Sequence, residues 1–366
     1  MTVRGEPPRS RARQTRLFAT CVPGLGRMLR RQLGLIDGVV VTGTGSDGRV
    51  DLVFCEADRA GRAIVLESRL TQSVVVETGR ASRVAGASAM AVASMAWQAD
   101  GVQRALSVWA EEVRPLAGSM TFRVVARVRG DSRFLRTDLK QAMTAVISRD
   151  KPRWKAADPA QVEILINEFH DGQYTAGLRL RMAEDDHDGD DQLPGIGMLP
   201  RRGTLPASVA AAMVDLAGRP GAAGPARTLL DPCCGAGTIL AEAVVAGWTA
   251  EGTDIAESAV AAAARHVPAA SVELGDAREL LLPEADVGAC VARLPSGGRL
   301  RAPGEWQDFA GTVLTELSRV TRSGGAVVLL APELPRPLIP STLRLRREVP
   351  IRLRGARQAI WVFHRA

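Results

Sequence analysis

The sequence predicts an α/β protein of more than one domain, with a ferredoxin-like unit and a second α/β unit ahead of a C-terminal Rossmann-like sheet. Three observations carry this prediction. The first 80 residues read β-α-β-β-α-β, the order of a ferredoxin-like unit. Residues 228–242, TLLDPCCGAGTILAE, read as an apolar strand, a Gly-Ala-Gly turn and a helix. From there to residue 366, strand and helix patterns alternate, as a largely parallel sheet requires.

Composition narrows the possibilities. A length of 366 residues exceeds one typical core. No apolar run approaches a membrane span and the N-terminus lacks a signal-peptide core, so a soluble, cytoplasmic protein is expected, with no membrane partner and a monomeric state. Cys21, Cys55, Cys233, Cys234 and Cys290 show no CxxC pairing, and His170, His187, His266 and His364 show no metal spacing. Neither a disulfide framework nor a metal site is expected. The net charge of +7 and pI near 9.8 point to a polyanionic partner.

The elements follow in order. Residues 1–15 are rich in arginine and proline and predict a disordered basic arm. Within 16–80, strands fall at Leu17–Val22, Val39–Val41, Val50–Phe54 and Val74–Val76. Leu25, Met28, Leu29 and Leu33 mark a first helix after Pro23, and Ala60, Ala63, Ile64 and Leu70 are expected to face inward from a second. Asp47-Gly48 signals the hairpin between the middle strands. Within 81–182, helical material at Ala89–Val113 precedes a strand at Phe122–Arg129, a helix that Thr137 can cap and Pro152 stops, and a hairpin across Asp171-Gly172.

Basic residues concentrate here. Thr121–Lys155 holds Arg123, Arg127, Arg129, Arg133, Arg136, Lys140, Arg149, Lys151, Arg153 and Lys155 against three acids, a net +7. These are candidate phosphate-contacting residues. Residues 183–200 form an acidic linker; the EDDHDGDD stretch within it lacks EF-hand spacing, because Gly195 stands where the bidentate glutamate belongs.

The glycine-rich turn excludes two familiar phosphate cradles. No lysine follows the glycines, as a Walker loop needs, and Leu240 replaces the third glycine of a dinucleotide fingerprint. Asp254 ends the next strand, 17 residues past Gly237, where a carboxylate can accept hydrogen bonds from two ribose hydroxyls. The run Asp231-Pro232-Cys233 through Gly235, Gly237 and Thr238 resembles motif I, of DPxCGxGT type, in class I S-adenosylmethionine-dependent methyltransferases acting on nucleic-acid amino groups. The resemblance implies S-adenosyl-L-methionine as cofactor. It places Asp231 at the methionine amino end, Asp254 and Ile255 at the ribose side, Asp276 and Ala277 at the adenine, and the helix Thr204–Leu216 over the methionine.

The stretch from Phe122-Arg123-Val124 through Arg133-Phe134 and Asp138-Leu139, with the hairpin after it, resembles the THUMP domain. That resemblance implies structured RNA as partner, gripped at the acceptor end of tRNA. Together the regions resemble THUMP-domain methyltransferases that make N2-methylguanosine in tRNA or ribosomal RNA, with the methyltransferase domain at 201–366. The chain departs from that family after the fourth strand of this domain. Where NPPY or NLPF is expected, it reads Arg293-Leu294-Pro295-Ser296. Arginine offers no acceptor for the hydrogens of a guanine amino group, and serine no π-face to stack the extruded base. Leu294 can still supply a carbonyl. Trp306 and Phe309 fall at helical spacing with Val313, Leu317 and Val320, which favours core packing over base stacking. Two functions stay open: an RNA methyltransferase with a modified acceptor site, and a cofactor- and tRNA-binding protein that no longer transfers. A methyltransferase for another nucleophile is a third.

Overall fold

Leu17, Phe18 and Ala19 on consecutive positions, followed by Thr20 and Cys21, make β1 (Thr15–Cys21) a strand buried on both faces, and the first sheet grows outward from it. The computed structural model describes residues 14–83, 87–182, 205–222, 224–295 and 304–366, which form two units, 14–182 and 205–366. The expected linker at 183–200 lies outside the described residues, as do Ser296, Thr204 and all but the end of the expected arm.

In the first unit, β1 leads to α1 (Gly26–Leu33), β2 (Val39–Ser46), β3 (Asp51–Ala57), α2 (Arg59–Glu67) and β4 (Ser73–Ser82). The order is β-α-β-β-α-β, and the strands lie β2-β3-β1-β4, all antiparallel. β1 opens at Thr15, one residue inside the stretch assigned to the arm. Asp58 caps α2 by accepting from the Gly61 amide at 2.8 Å. The buried face of α2 differs from expectation. Gly61, Arg62 and Val65 turn inward, while Ala60, Ala63 and Ile64 are exposed. Apolar content misidentified this face because Arg62 is buried by ion pairing: it donates to Glu112 at 2.7 Å, Glu111 at 2.6 Å and the Thr15 hydroxyl at 3.0 Å.

The chain continues through α3 (Ala89–Ala96), α4 (Ala99–Glu112), β5 (Thr121–Arg127), α5 (Arg136–Asp150), β6 (Lys155–Ala156), β7 (Val162–His170) and β8 (Gln173–Met182). The single helical stretch expected at 89–113 is two helices, broken at Trp97. Thr137 does not cap α5. It lies inside the first turn, and the Asp138 carboxylate instead reaches back to the Leu135 amide at 3.3 Å. β8 pairs with β4, so the strands of 16–80 and of 81–182 share one eight-stranded sheet, β2-β3-β1-β4-β8-β7-β5-β6. β2 and β7 also approach one another, enclosing Phe18, Phe54, Val75, Leu165 and Phe169 in a small core.

The second unit begins with α6 (Ala207–Ala217), followed by β9 (Thr228–Asp231), α7 (Thr238–Val245), β10 (Thr249–Asp254), α8 (Glu257–His266) and β11 (Ser271–Leu274). Then come β12 (Val287–Arg293), α9 (Glu305–Val320), β13 (Thr321–Ala331), β14 (Leu343–Leu353) and β15 (Ala356–Arg365). The sheet order is β11-β10-β9-β12-β13-β15-β14. The first five strands are parallel, and β15 runs antiparallel between β13 and β14. Leu230, Cys290 and Leu329 from the sheet pack with Val313, Leu314 and Leu317 of α9. Trp306 and Phe309 lie against that core, their ring centroids 6.4 Å apart. α6 packs on α7, β12 and β13. Strand order reverses between β9 and β12, and in open α/β sheets ligands bind outside the strand ends at such a switch point.

Candidate cofactor site

The turn after β9 is built by two glycines in left-handed conformation. Gly235 has φ 53° and Gly237 has φ 86°, values that side-chain-bearing residues rarely adopt. Gly237 is also the N-cap of α7, whose N-terminus no side chain caps. A Cβ on Gly237 would stand 3.2 Å from Val267 Cγ2 and 3.3 Å from Ala263 Cβ, so the glycine also lets α8 close on the turn.

Asp254 fastens this turn to β10. Its Oδ2 accepts from the Gly235 amide at 2.9 Å, and its Oδ1 from Ala256 at 3.0 Å. The Cys234 amide donates to the Thr253 carbonyl at 3.0 Å, a second tie between the same segments. Each Asp254 oxygen keeps a further lone pair, so the carboxylate that positions the turn can also accept from a diol. Ile255, next in sequence, is exposed. His266, which the sequence gave no role, contacts the Ala236 carbonyl through Nδ1 at 3.0 Å.

Asp231 is fully enclosed at the end of β9, its Oδ1 accepting from the Cys233 amide at 3.1 Å. Burial pushes its pKa up to about 8, the Cys233 amide opposes that shift, and the nearby Asp254 charge adds to it. Pro232 is buried, while Cys233, Gly235 and Thr238 are half-buried. Burial and the surrounding carboxylates also raise the Cys233 thiol well above its ordinary pKa, so it is not a thiolate.

Asp276 is held by Arg278, a residue sequence reasoning missed. The Arg278 amide donates at 2.9 Å, Nε at 3.0 Å and Nη2 at 2.6 Å. That fork lowers the Asp276 pKa and keeps the carboxylate charged. An i, i+2 Asp-x-Arg spacing is the signal that could have revealed it. Ala277 is buried in the core beside Leu230. Asp231, Asp254 and Asp276 therefore follow three successive parallel strands at their C-terminal ends.

Arg293 ends β12, opposite Leu330 of β13. It is half-buried, and desolvation followed by the charge of Arg354 lowers its pKa. Leu294 is buried and donates its amide to the Leu330 carbonyl at 3.1 Å. Pro295 is half-buried.

Residues 197–347 match the family model described as RMKL-like, methyltransferase domain. Three solved structures are similar over nearly the whole chain. TrmN from Thermus thermophilus is 22% identical, with a TM-score of 0.71 over 96% of this chain and 100% of its own. A possible methylase from Clostridium difficile 630 is 12% identical, with a TM-score of 0.65 over 97% and 99%. SMU.472 in complex with SAH is 11% identical, with a TM-score of 0.61 over 96% and 98%. A sequence comparison with curated proteins found no match. At these identities the likeness to solved structures is one of fold: the C-terminal unit has the Rossmann-like sheet of S-adenosylmethionine-binding methyltransferases.

The candidate RNA-contacting residues divide by environment. Arg123 is engaged with Glu163 and Asp158, Arg127 is buried, Arg129 pairs with Asp131 at 3.1 Å, and Lys151 with Asp150 at 3.2 Å. Arg133, Arg136, Lys140, Arg149, Arg153 and Lys155 are exposed. Arg129 also lines a cavity of about 360 Å³ with Arg27, Arg30 and His170. Among the described residues, no His, Cys, Asp or Glu cluster has metal-binding geometry, and no helix is long and apolar enough to cross a membrane.

Proposed function

We propose that this protein is an S-adenosylmethionine-dependent RNA methyltransferase whose target is a base amino group, guanine N2 of tRNA. The observation that carries the cofactor assignment is the Asp254 latch. One carboxylate, at the end of β10, orders the glycine turn that follows β9 at the topological switch point and retains acceptor capacity for the ribose hydroxyls. Asp231 supplies an enclosed carboxylate for the ammonium of the methionine moiety, and Ile255, exposed next to Asp254, an apolar surface on the ribose side. Asp276 accepts from the adenine amino group in this assignment, sharing its oxygens with Arg278.

The first unit supports RNA as substrate. Its second half resembles the THUMP domain, and six basic residues between Arg133 and Lys155 are exposed. The cofactor supplies an electrophilic methyl group; the residues of the chain bind and orient. At the acceptor side the Leu294 carbonyl is the candidate to take a proton-bearing amino group's hydrogen bond, while Arg293 can only donate.

Arg293 also favours a second function, a cofactor- and tRNA-binding protein that no longer transfers. Nucleoside mass spectrometry of tRNA and ribosomal RNA from a deletion strain and its complemented parent separates the two. Loss of N2-methylguanosine that returns on complementation is the expected result. Unchanged nucleosides in both RNA pools, with a protein that binds S-adenosylmethionine, would favour the non-transferring function.

A further inference from the structure

The hairpin that closes the second sheet gathers positive charge. Residues 343–357 carry Arg344, Arg346, Arg347, Arg352, Arg354 and Arg357 against one acid, Glu348, and all six arginines are exposed. β14 is an edge strand, and charge together with Pro350 guards such an edge against pairing with another chain. Edge protection does not require the arrangement at the tip. Arg352 and Arg357 are direct cross-strand partners, where like charges repel. Between them the chain reverses through Arg354 (φ 47°) and Gly355 (φ 82°). Two consecutive positive φ values define a two-residue turn whose first position ordinarily takes asparagine, aspartate or glycine. Arginine there is a bulky residue in a conformation it disfavours.

Topology places this tip at the edge that holds the candidate cofactor site. β13 and β14 both pair antiparallel with β15 and so run the same way, and β13 is parallel to β12. The tip thus extends beyond the same strand ends that carry Asp231 and Arg293. Arg354 lies near enough to Arg293 for its charge to be felt there. Arg352 faces Arg357 across the hairpin and the charge of Arg354 reaches Arg293, two like-charge pairs whose repulsion a bound anion would offset. Arginine's planar fork matches phosphate oxygens and stays charged at every working pH.

The geometry points to a phosphate-binding subsite made by Arg293, Arg352, Arg354 and Arg357, which grips the RNA backbone beside the nucleotide presented for methylation. This rests on the proposed action on RNA. It gives Arg293 a role in place of the missing amide: holding the backbone rather than accepting from the base.

The test uses the full chain with Arg352→Gln, Arg354→Asn and Arg357→Gln combined. Each change relieves repulsion or suits the turn, so the thermal midpoint is kept or raised and S-adenosylmethionine still binds. Affinity for tRNA falls on the order of tenfold, and the slope of log K against log salt drops by about two to three. A second variant, Arg344→Gln, Arg346→Gln and Arg347→Gln, removes the same charge farther from the tip and costs less affinity. Unchanged tRNA affinity and salt slope in the tip variant, or an equal loss in both variants, would overturn the subsite while leaving the action on RNA standing. A wild-type protein that binds S-adenosylmethionine but no RNA would overturn both.

Discussion

Replacing Asp231 with asparagine should stabilise the unliganded protein and weaken its cofactor binding. Asp231 is fully enclosed, and burial raises its pKa from an ordinary 3.8 to about 8. The folded state therefore holds the proton more tightly than the unfolded chain. Below pH 4 both states are protonated and Asp231 costs nothing. As pH rises, the unfolded chain releases its proton while the folded one does not, and stability falls by about 1.4 kcal/mol per pH unit until it levels above pH 8. At pH 7 the penalty reaches a ceiling of about 4 kcal/mol. Asparagine matches the protonated carboxyl in shape, can still accept from the Cys233 amide, and carries no such penalty. The assay is denaturation of wild type and Asp231→Asn across pH 4.5 to 8, following the transition that S-adenosylmethionine shifts, with calorimetric titration of the cofactor at each pH. The variant should be more stable at pH 7, by up to about 4 kcal/mol, with the gap closing toward pH 4.5. Its cofactor affinity should fall, because a carboxylate paired with the ligand ammonium is lost. A variant less stable than wild type at pH 7, a gap that ignores pH, or an undiminished cofactor affinity would refute the reasoning.

Other perturbations reach the remaining parts. Gly237→Ala forces a side chain into a left-handed conformation and toward Val267, so it should cost about 1–3 kcal/mol in thermal denaturation and abolish detectable cofactor binding. Arg62→Ala leaves Glu111 and Glu112 without their shared cation; since those glutamates are 39% and 21% exposed, a loss of about 1–3 kcal/mol is expected in chemical denaturation. Arg293→Asn with Ser296→Phe should lower methyl transfer to tRNA with cofactor affinity unchanged, and a gain in transfer would identify the natural chain as the non-transferring form.

Local pattern revealed the glycine turn because its constraint is local: left-handed backbone at Gly235 and Gly237 demands glycine, and the strand before and helix after are continuous in sequence. Asp254 was legible for the same reason, as the last residue of the next strand at a suitable distance from the glycine turn. Partners distant in sequence were not. Arg62 reads as a surface residue until Glu111 and Glu112, some fifty positions later, are folded against it. The β4–β8 pairing that makes one sheet from two stretches joins Ser73 to Met182, beyond the reach of periodicity. The arginines of the closing hairpin were visible as composition, but their meaning depends on strand directions that put the hairpin tip at the same edge of the sheet as the C-terminal ends of β9 and β12. Basic residues at 121–155 formed one run in sequence, yet folding turns Arg123 and Arg127 inward and leaves Arg133, Arg136 and Lys140 exposed.

The central claim is tested most directly by incubating the purified full-length protein with methyl-labelled S-adenosylmethionine and unmodified tRNA, then digesting the RNA and identifying the labelled nucleoside. The account predicts label in N2-methylguanosine, and no label when Asp254→Ala protein is used. Cofactor bound by the wild type with no label in any nucleoside of tRNA or ribosomal RNA would contradict it.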